Sequence, residues 1–261
     1  MVVYAGQGDA KFSMDVMWGT RSSEPLRPGP RPGLSVDVIV SAGIEVADAE
    51  GMAGLSMRAV GERLGRTAMS LYTYVPTKGD LVDLMYDRTL AELPTHYEVR
   101  AGWRGAMTSW ASDHLEFYLR HPWMLQVSQA RPVLGPNEFA VLETVSGILH
   151  ETGLEARVLR GALGAVLHFV RGSAQSVAES RQAAVATGMS DEEWWYARSP
   201  VLLDVVPDFA ARFPMAVRME ADKPADVEGE PYMEQAITEA FTVGLEVILD
   251  GIEAAIAKTG V

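Results

Sequence analysis

Residues 55–79 concentrate side chains that bind anions and hydrogen-bond to polar surfaces. Four basic residues stand there against one acidic residue, a balance of +3: Arg58, Arg63, Arg66 and Lys78 against Glu62. The whole chain of 261 residues carries a formal net charge of -13, so positive charge is gathered here within an acidic protein. Guanidinium and ammonium groups bind phosphate, and hydroxyl groups bond to phosphates or base edges. The composition of this segment therefore predicts a local site that binds a polyanion.

Other kinds of chemistry lack the residues they need. Cysteine is absent, and none of the 5 histidines falls in the HExxH spacing of a metal site. We find no GxSxG, Walker or Rossmann glycine motif and therefore predict no catalytic residue, no metal, no cofactor and no enzymatic activity. The sequence also shows no signal peptide and no apolar run of membrane-spanning length, which predicts a cytoplasmic protein.

The basic segment lies among short predicted helices. Apolar residues recur at helical spacing from Leu34 to a stop at Gly51, and Ser56 is predicted to cap a second helix that ends at Gly65. A third short helix is expected over 68–74, and a capping box from Thr77 opens a fourth. Two short helices joined by a glycine-containing turn form the plan of a helix-turn-helix.

The rest of the chain is also predicted to be helical, so the fold class is all-α. Helices are expected over 103–119, 138–150 and 154–184, and apolar residues from Met233 to Ile256 mark another. A capping box at Ser190 precedes Trp194, Trp195 and Tyr196, which we expect in a helical flap or a pocket wall. We divide the chain into an extended Pro/Arg-containing arm (1–33), a helix-turn-helix domain (34–93) and a helical second domain (94–261).

Several motifs in fixed order resemble one known family. Over 34–93 these are Leu-Ser-x-x-x-Ile-Val-x-Ala-Gly, Ala-Glu-Gly, Leu-Ser-Met-Arg, Leu-Gly, Ser-Leu-Tyr-x-Tyr-Val and Lys-x-x-Leu. They look like the DNA-binding domain of the TetR family of bacterial transcriptional regulators. The segments Met17-Trp18-Gly19, Arg120-His121-Pro122-Trp123 and Gly135-Pro136-Asn137 are similar to actinobacterial members with a tetracycline-repressor-type C-terminal domain.

The resemblance implies which residues contact operator DNA. The third helix would enter the major groove, where base edges show a distinct pattern for each base pair. The family's contact positions fall on Thr67, Met69, Ser70, Tyr72, Thr73 and Tyr74, with Arg58 and Lys78 on the flanking helices. Arg66 stands where the family has a small apolar residue. For Arg27 and Arg31 in the arm, we weigh contact with a minor groove against a tail of no consequence.

The second domain is expected to bind a small molecule and a second copy of the chain. Aromatic, methionine and single polar residues on its helices suit a mostly apolar pocket, with core packing as the alternative for each: Trp110, His114, Phe117, Trp123, Met124, Phe139, His168 and Arg171. Apolar residues lie on two faces of the last helix, and the helix over 154–184 contains three glycines. Helices near 155–184 and 232–258 are therefore predicted to form a four-helix dimer interface.

These features predict a dimeric, ligand-responsive transcriptional regulator. We expect a repressor that a small, mostly apolar effector releases from double-stranded operator DNA. Two alternatives remain open at this point: an α-helical enzyme, and a helical scaffold that binds only protein. The enzyme lacks motif support, and the scaffold does not explain a segment of charge +3 within a chain of charge -13.

Overall fold

The computed structural model describes residues 3–20, 33–100, 102–150, 152–221 and 232–259, and this part of the chain is almost entirely helical. The elements are β1 (Val3–Tyr4), α1 (Ala10–Met17), α2 (Val36–Gly54), α3 (Met57–Arg63), α4 (Ala68–Tyr72), α5 (Lys78–Leu90), α6 (Trp103–Arg120), a 3-10 helix (Pro122–Gln126), β2 (Val127–Ser128), α7 (Pro136–His150), α8 (Ala156–Thr187), α9 (Asp191–Val205), α10 (Phe209–Arg212), α11 (Pro214–Ala221) and α12 (Tyr232–Thr259). The all-α prediction is confirmed. In the described ranges no helix is long and apolar enough to cross a bilayer.

Helices α3 and α4 form a helix-turn-helix because of local capping and two glycines. The hydroxyl of Ser56 accepts the Ala59 N–H at 3.1 Å, which confirms the predicted N-cap. Gly65 makes the turn at φ +62°, and a side chain at Gly61 would meet the Arg66 carbonyl oxygen at 2.7 Å. The two short helices can therefore cross closely.

The expectation of an extended arm over 1–33 is wrong for residues 3–20. Asp9 caps α1 by accepting the Phe12 N–H at 2.8 Å, and α1 packs on α5. Strand β1 pairs in parallel with β2, with Val3 opposite Val127. The prolines that suggested an extended arm begin only at Pro25, after this folded segment.

Helix α5 holds three buried aspartates at its interfaces with α1 and α7. Asp80 accepts the Asp9 N–H at 2.7 Å, and Asp83 accepts the Gly6 N–H at 2.7 Å. Asp87 accepts the backbone N–H groups of Asn137 and Glu138, each at 3.0 Å, at the start of α7. Backbone amides thus satisfy carboxylates that are costly to bury alone.

The chain after residue 93 is built on α6, α8 and α12. Helix α12 buries Phe241, Leu245 and Ile252 against α8, which confirms the predicted apolar stripe. A side chain at Gly244 would meet the Phe169 ring at 2.7 Å, so this glycine allows the close helix contact. The side chain of Met233 lies outside the described residues.

Within the described residues, two hydrophobic clusters form the core, and their boundary does not follow the predicted boundary at residue 93. The first cluster joins residues of α2 and α5 to Phe117, Trp123 and Val127. The second contains Trp110, Val145, Val166 and Leu245 and belongs to α6, α7, α8 and α12. The end of α6 and the 3-10 helix are therefore packed as part of the N-terminal domain.

We predict that Asp87→Ala lowers the free energy of unfolding by about 2 kcal/mol, because it leaves buried N–H groups at the start of α7 without an acceptor. Urea denaturation at fixed protein concentration measures the change. Arg88→Ala, on the next residue, is the matched control: it removes an exposed ion pair with Asp37 and should cost less than about 1 kcal/mol. Equal losses for the two variants would contradict the role of Asp87.

Candidate nucleic-acid interface and ligand cavity

Helix α4 presents its predicted contact residues to solvent. Met69 is 77% exposed and Tyr72 is 43% exposed, whereas Leu71 between them is fully buried and anchors the helix. Thr73 is exposed at the C-terminal end of α4, and Tyr74 packs partly against the core. An exposed α-helical face with hydroxyl and apolar groups can contact base edges in a major groove.

Two hydroxyl residues of α4 also bond within the helix. Thr67 is the N-cap, and its hydroxyl accepts the Ser70 N–H at 3.4 Å. The Ser70 hydroxyl donates to the Thr67 carbonyl oxygen at 2.7 Å. These bonds hold the start of α4 in place. They leave the Thr67 hydroxyl able to donate to a base or phosphate and the Ser70 hydroxyl able to accept from a base.

The basic residues around α4 differ in the exposure of their side chains and in the hydrogen bonds that they make. Arg58 on α3 has a side chain that is 85% exposed and pairs with Glu62 at 2.7 Å. Lys78 at the start of α5 donates from Nζ to the Leu55 carbonyl oxygen at 2.6 Å, which ties the connection between α2 and α3 to α5. Arg66 is exposed in the turn. Arg27 and Arg31 of the predicted arm lie outside the described residues.

A cavity of about 310 Å³ lies between α5, α6, α7 and the chain before α7. Its wall is mostly aromatic and aliphatic and is made by Tyr86, Leu90, His114, Tyr118, Gln129, Pro132, Leu134, Glu138, Phe139, Val141, Leu142, Val145 and Leu167. Because Tyr86 and Leu90 belong to α5, one wall of the cavity is a helix of the helix-turn-helix domain.

A few polar atoms in the cavity define what it can bind. Nδ1 of His114 bonds to the Trp110 carbonyl oxygen at 2.9 Å, which makes Nδ1 the protonated nitrogen. Nε2 is buried, has no partner among the described residues and is left as an acceptor. Burial lowers the pKa of His114 to about 4, so the ring is neutral near pH 7. Because Nε2 has almost no exposed surface, a hydrogen-bond donor on a ligand would reach it only after a movement of the wall.

Two phenols and a carboxyl complete the polar part of the wall. Nε2 of Gln129 donates to the hydroxyl oxygens of Tyr86 and Tyr118 at 3.3 and 3.2 Å. Burial raises the pKa of Tyr86, so its phenol stays protonated. Burial also raises the pKa of Glu138, which accepts the Leu134 N–H at 2.8 Å. Among the described residues, the lining contains no lysine or arginine.

The structure brings only two of the eight predicted pocket residues to this cavity, His114 and Phe139. Trp110, Phe117, Trp123 and Met124 are each 0% exposed and serve as core, which was the alternative for each of them. His168 is exposed on α8. Aromatic residues on a helical stripe look the same in sequence whether they face a core or a cavity, so periodicity alone could not separate the two roles.

Arg171, the remaining predicted pocket residue, braces the chain next to β2. Its guanidinium donates to the carbonyl oxygens of Leu125 and Val127 at 2.7 and 2.9 Å and lies 5.7 Å from the centre of the Tyr118 ring. These bonds hold the segment that leads into the cavity wall. Arg171 therefore supports the cavity through Tyr118 and the backbone and is not part of the lining.

His121 joins the N-terminal domain to the end of α6. Its Nδ1 lies 2.8 Å from Asp48 on α2, and its Nε2 lies 3.0 Å from Glu92 just after α5. The hydrogen bond to Asp48, together with the bond to Glu92, raises the pKa of His121 against the effect of burial. The charged imidazolium can donate to both carboxylates and so links three elements.

The sequence matches a family profile described as "Tetracyclin repressor-like, C-terminal domain" over residues 98–256. It is 37% identical over 255 residues to the HTH-type transcriptional repressor DrrR1 of Streptomyces coeruleorubidus, covering 97% of this chain and 89% of that protein. The chain belongs to the TetR family. It is therefore a helix-turn-helix transcriptional regulator, and the family resemblance seen in the sequence is confirmed.

Solved structures share the fold of this TetR regulator. Apo ActR from Streptomyces coelicolor matches with a TM-score of 0.65 and 23% identity, over 88% of this chain and 99% of that one. ActR in complex with actinorhodin matches with a TM-score of 0.65 and 23% identity, over 86% and 97%. A TetR variant from Acinetobacter baumannii in complex with minocycline matches with a TM-score of 0.57 and 20% identity, over 85% and 98%.

Sequence reasoning missed most of the cavity wall. Tyr86 and Leu90 sit on a helix assigned to the helix-turn-helix domain, and Gln129 and Leu134 lie in a segment without periodicity. The segment Gly135-Pro136-Asn137, which carried part of the family resemblance, was the available signal: it starts α7 and binds Asp87 beside the cavity. Only the folded chain brings these segments together.

We predict that the stabilising effect of His121 depends on pH. Because the folded pKa lies above the ordinary 6.5, this contribution is complete below pH 6.5 and is lost as the pH rises through the folded pKa. The free-energy difference between the wild type and His121→Gln should be about 1 kcal/mol at pH 6 and should shrink toward pH 9.

Urea denaturation from pH 6 to pH 9 measures this difference. The charged groups that face or adjoin the imidazole are Asp48, Glu92 and Arg120, which also pairs with Glu92. All three remain in the variant, so their own titration largely cancels in the comparison. His168→Gln is the control at an exposed histidine and should give a small difference throughout. A His121 difference that grows with pH would refute the assignment.

Proposed function

We propose that this regulator is a dimeric repressor that a mostly apolar aromatic effector releases from its operator. The observation that carries the proposal is that α5 belongs to the helix-turn-helix domain and also lines the cavity with Tyr86 and Leu90. A ligand that binds one conformation of this wall better than another shifts the population toward that conformation. The protein would act in the cytoplasm, on bacterial DNA.

The DNA half of the proposal rests on α3, α4 and the basic residues around them. We assign sequence-specific contacts to the exposed face of α4, with Met69, Tyr72 and Thr73 at the major groove. Arg58 is placed to leave its exposed ion pair with Glu62 for a guanine or a phosphate, because such a pair is worth little in water. Lys78 uses one of its three ammonium donors on the Leu55 carbonyl oxygen, and a remaining donor would contact phosphate.

A second copy of the chain would cover the apolar surface that α8 and α12 leave exposed. Val158, Val243 and Val247 are 38%, 54% and 65% exposed, and nothing lies within 4 Å of a side chain built at Gly161 or Gly164. Small and apolar residues allow two helix pairs to pack closely. Two copies would present α4 to half-sites about 34–36 Å apart, or a multiple of that distance.

The effector half of the proposal rests on the chemistry of the cavity. Its aromatic walls favour a flat apolar body, and a ligand that moves the wall to reach the unpartnered Nε2 of His114 would offer it a hydrogen-bond donor. ActR, which shares the fold, was crystallised with actinorhodin, and another TetR protein with minocycline. The alternatives of an enzyme or a protein scaffold receive no comparable support, since the similar curated proteins are transcriptional regulators.

We predict that Arg58→Ala weakens binding to the DNA upstream of the regulator's own gene about tenfold, as expected when a base or phosphate contact is lost. Fluorescence anisotropy at fixed salt, with an excess of unrelated duplex as competitor, measures the affinity. Glu62→Gln removes the ion-pair partner of Arg58 and should leave binding equal or tighter.

Arg100→Ala is the matched control for that experiment. Its side chain is 92% exposed and lies in the chain between α5 and α6. It should change the affinity by less than about twofold, since it makes no predicted DNA contact. Equal losses of affinity for Arg58→Ala and Arg100→Ala would show that the effect comes from the change in net charge. If the wild type does not prefer the upstream duplex, the DNA-binding assignment is overturned.

We predict that His114→Leu weakens effector binding about tenfold, because the ligand donor then faces an apolar group. The probe ligand is chosen by a thermal-shift screen of aromatic compounds that includes actinorhodin and minocycline. The compound that most raises the melting temperature is used, because a ligand of the folded state raises apparent stability. Titration by tryptophan fluorescence measures the affinity. His168→Leu changes a predicted pocket residue that lies outside the cavity, and this variant should bind the ligand with wild-type affinity. A loss of affinity in His168→Leu alone would show that the ligand binds outside this cavity.

A further inference from the structure

The N-terminal segment 3–20, here called the strap, is fitted to the start of α5. Asp80 accepts the Asp9 N–H at 2.7 Å and the Ser13 hydroxyl at 3.1 Å, and the carboxylate is completely buried. A side chain at Gly8 would meet Asp80 Oδ1 at 2.1 Å and the Asp80 backbone nitrogen at 2.7 Å. The strap is thus docked in close contact with α5 next to the helix-turn-helix.

The same strap holds the cavity rim, residues 127–139, at both ends. At the beginning of the rim, β1 pairs with β2 and places Tyr4 opposite Ser128. At the far end, Trp18 Nε1 donates to the Leu134 carbonyl oxygen at 2.9 Å, and its ring lies 6.2 Å from that of Phe139. Leu134 and Phe139 both line the cavity.

Leu134 needs such support because its backbone is strained. It has φ +59°, and no other non-glycine residue in the described ranges has a positive φ. A leucine in this conformation persists only when its surroundings hold it there. Its carbonyl is held by Trp18 and its N–H by Glu138, so the rim is kept in one shape from both sides.

We propose that the strap is a second link between the ligand cavity and the helix-turn-helix domain, in which Trp18 positions the outer wall of the cavity. This inference rests on the proposed function for the identity of the cavity as the effector site. A ligand that displaces Phe139 or the rim would move Trp18, and the strap would pass the displacement to Asp80, two residues after Lys78. The linkage is separate from direct contact between the ligand and α5.

Hydrogen–deuterium exchange on the full chain tests the link without any ligand. Gly8→Ala forces the strap away from α5, and Trp18→Leu removes its bond to Leu134; each should raise exchange over 127–139 about fivefold or more. Exchange in α12, which packs on α8, should not change, and this separates loosening of the rim from a general loss of stability. Lys11→Ala, on the exposed side of α1, is the control and should behave as the wild type.

The affinity for the upstream duplex, measured without ligand, tests whether the link reaches the DNA-binding helices. Gly8→Ala should change it about fivefold and Lys11→Ala less than about twofold. If Gly8→Ala does not fold, Ser13→Ala loosens the same contact with Asp80 more mildly and is measured in its place. Unchanged rim exchange in both Trp18→Leu and the Gly8 or Ser13 variant would overturn the proposal.

Two further outcomes distinguish a failure of the strap proposal from a failure of the proposed function. Faster rim exchange with unchanged affinity, in a protein whose wild type does bind the duplex, would overturn the link and leave the strap a structural element. If the wild type does not bind the duplex, the proposed function fails. In that case, hydrogen–deuterium exchange over 127–139 in Gly8→Ala, compared with the wild type, still decides whether a displacement at Asp80 reaches the cavity wall.

Discussion

Three buried carboxylates on α5 hold the segments that pack around this helix. Asp80, Asp83 and Asp87 lie along α5, and each accepts backbone N–H groups from a segment that is distant in sequence. Removing a carboxylate from water costs free energy unless hydrogen bonds replace the lost solvation. The segments that supply those N–H groups, the strap and the start of α7, are therefore tied to α5, and the cavity lies between α5 and α7.

The packing of the core joins the helix-turn-helix domain to the domain that follows it. Phe117, Trp123 and Val127 follow the predicted domain boundary at residue 93 but pack in the cluster that contains α2 and α5. Interiors are packed densely enough that a displacement on one side of such a cluster shifts the other side. His121 adds polar links from the end of α6 to α2 and to the chain after α5.

Local signals in the sequence predicted the helices well, because capping and periodicity act within a few residues. The Ser56 N-cap, the Ser190 capping box and the buried stripe of α12 are all confirmed. The Thr77 cap is confirmed too, but Asp80, the expected partner in its box, turns its carboxylate to the strap as well as to the Thr77 hydroxyl. The cavity was missed for a related reason: it forms where distant segments meet, and none of them marks it alone.

The length of α5 indicates how a small change in the cavity would reach the DNA side under the proposed function. Tyr86 and Leu90 follow Lys78 by 8 and 12 positions, or about 12–18 Å along the helix axis. A tilt of about 5° about the cavity end would move the other end by about 1–1.5 Å, comparable to helix shifts in known allosteric proteins. The recognition helix α4 directly precedes α5, so it would follow this movement. In a dimer, the two displacements would add across the twofold axis and alter the separation of the recognition helices.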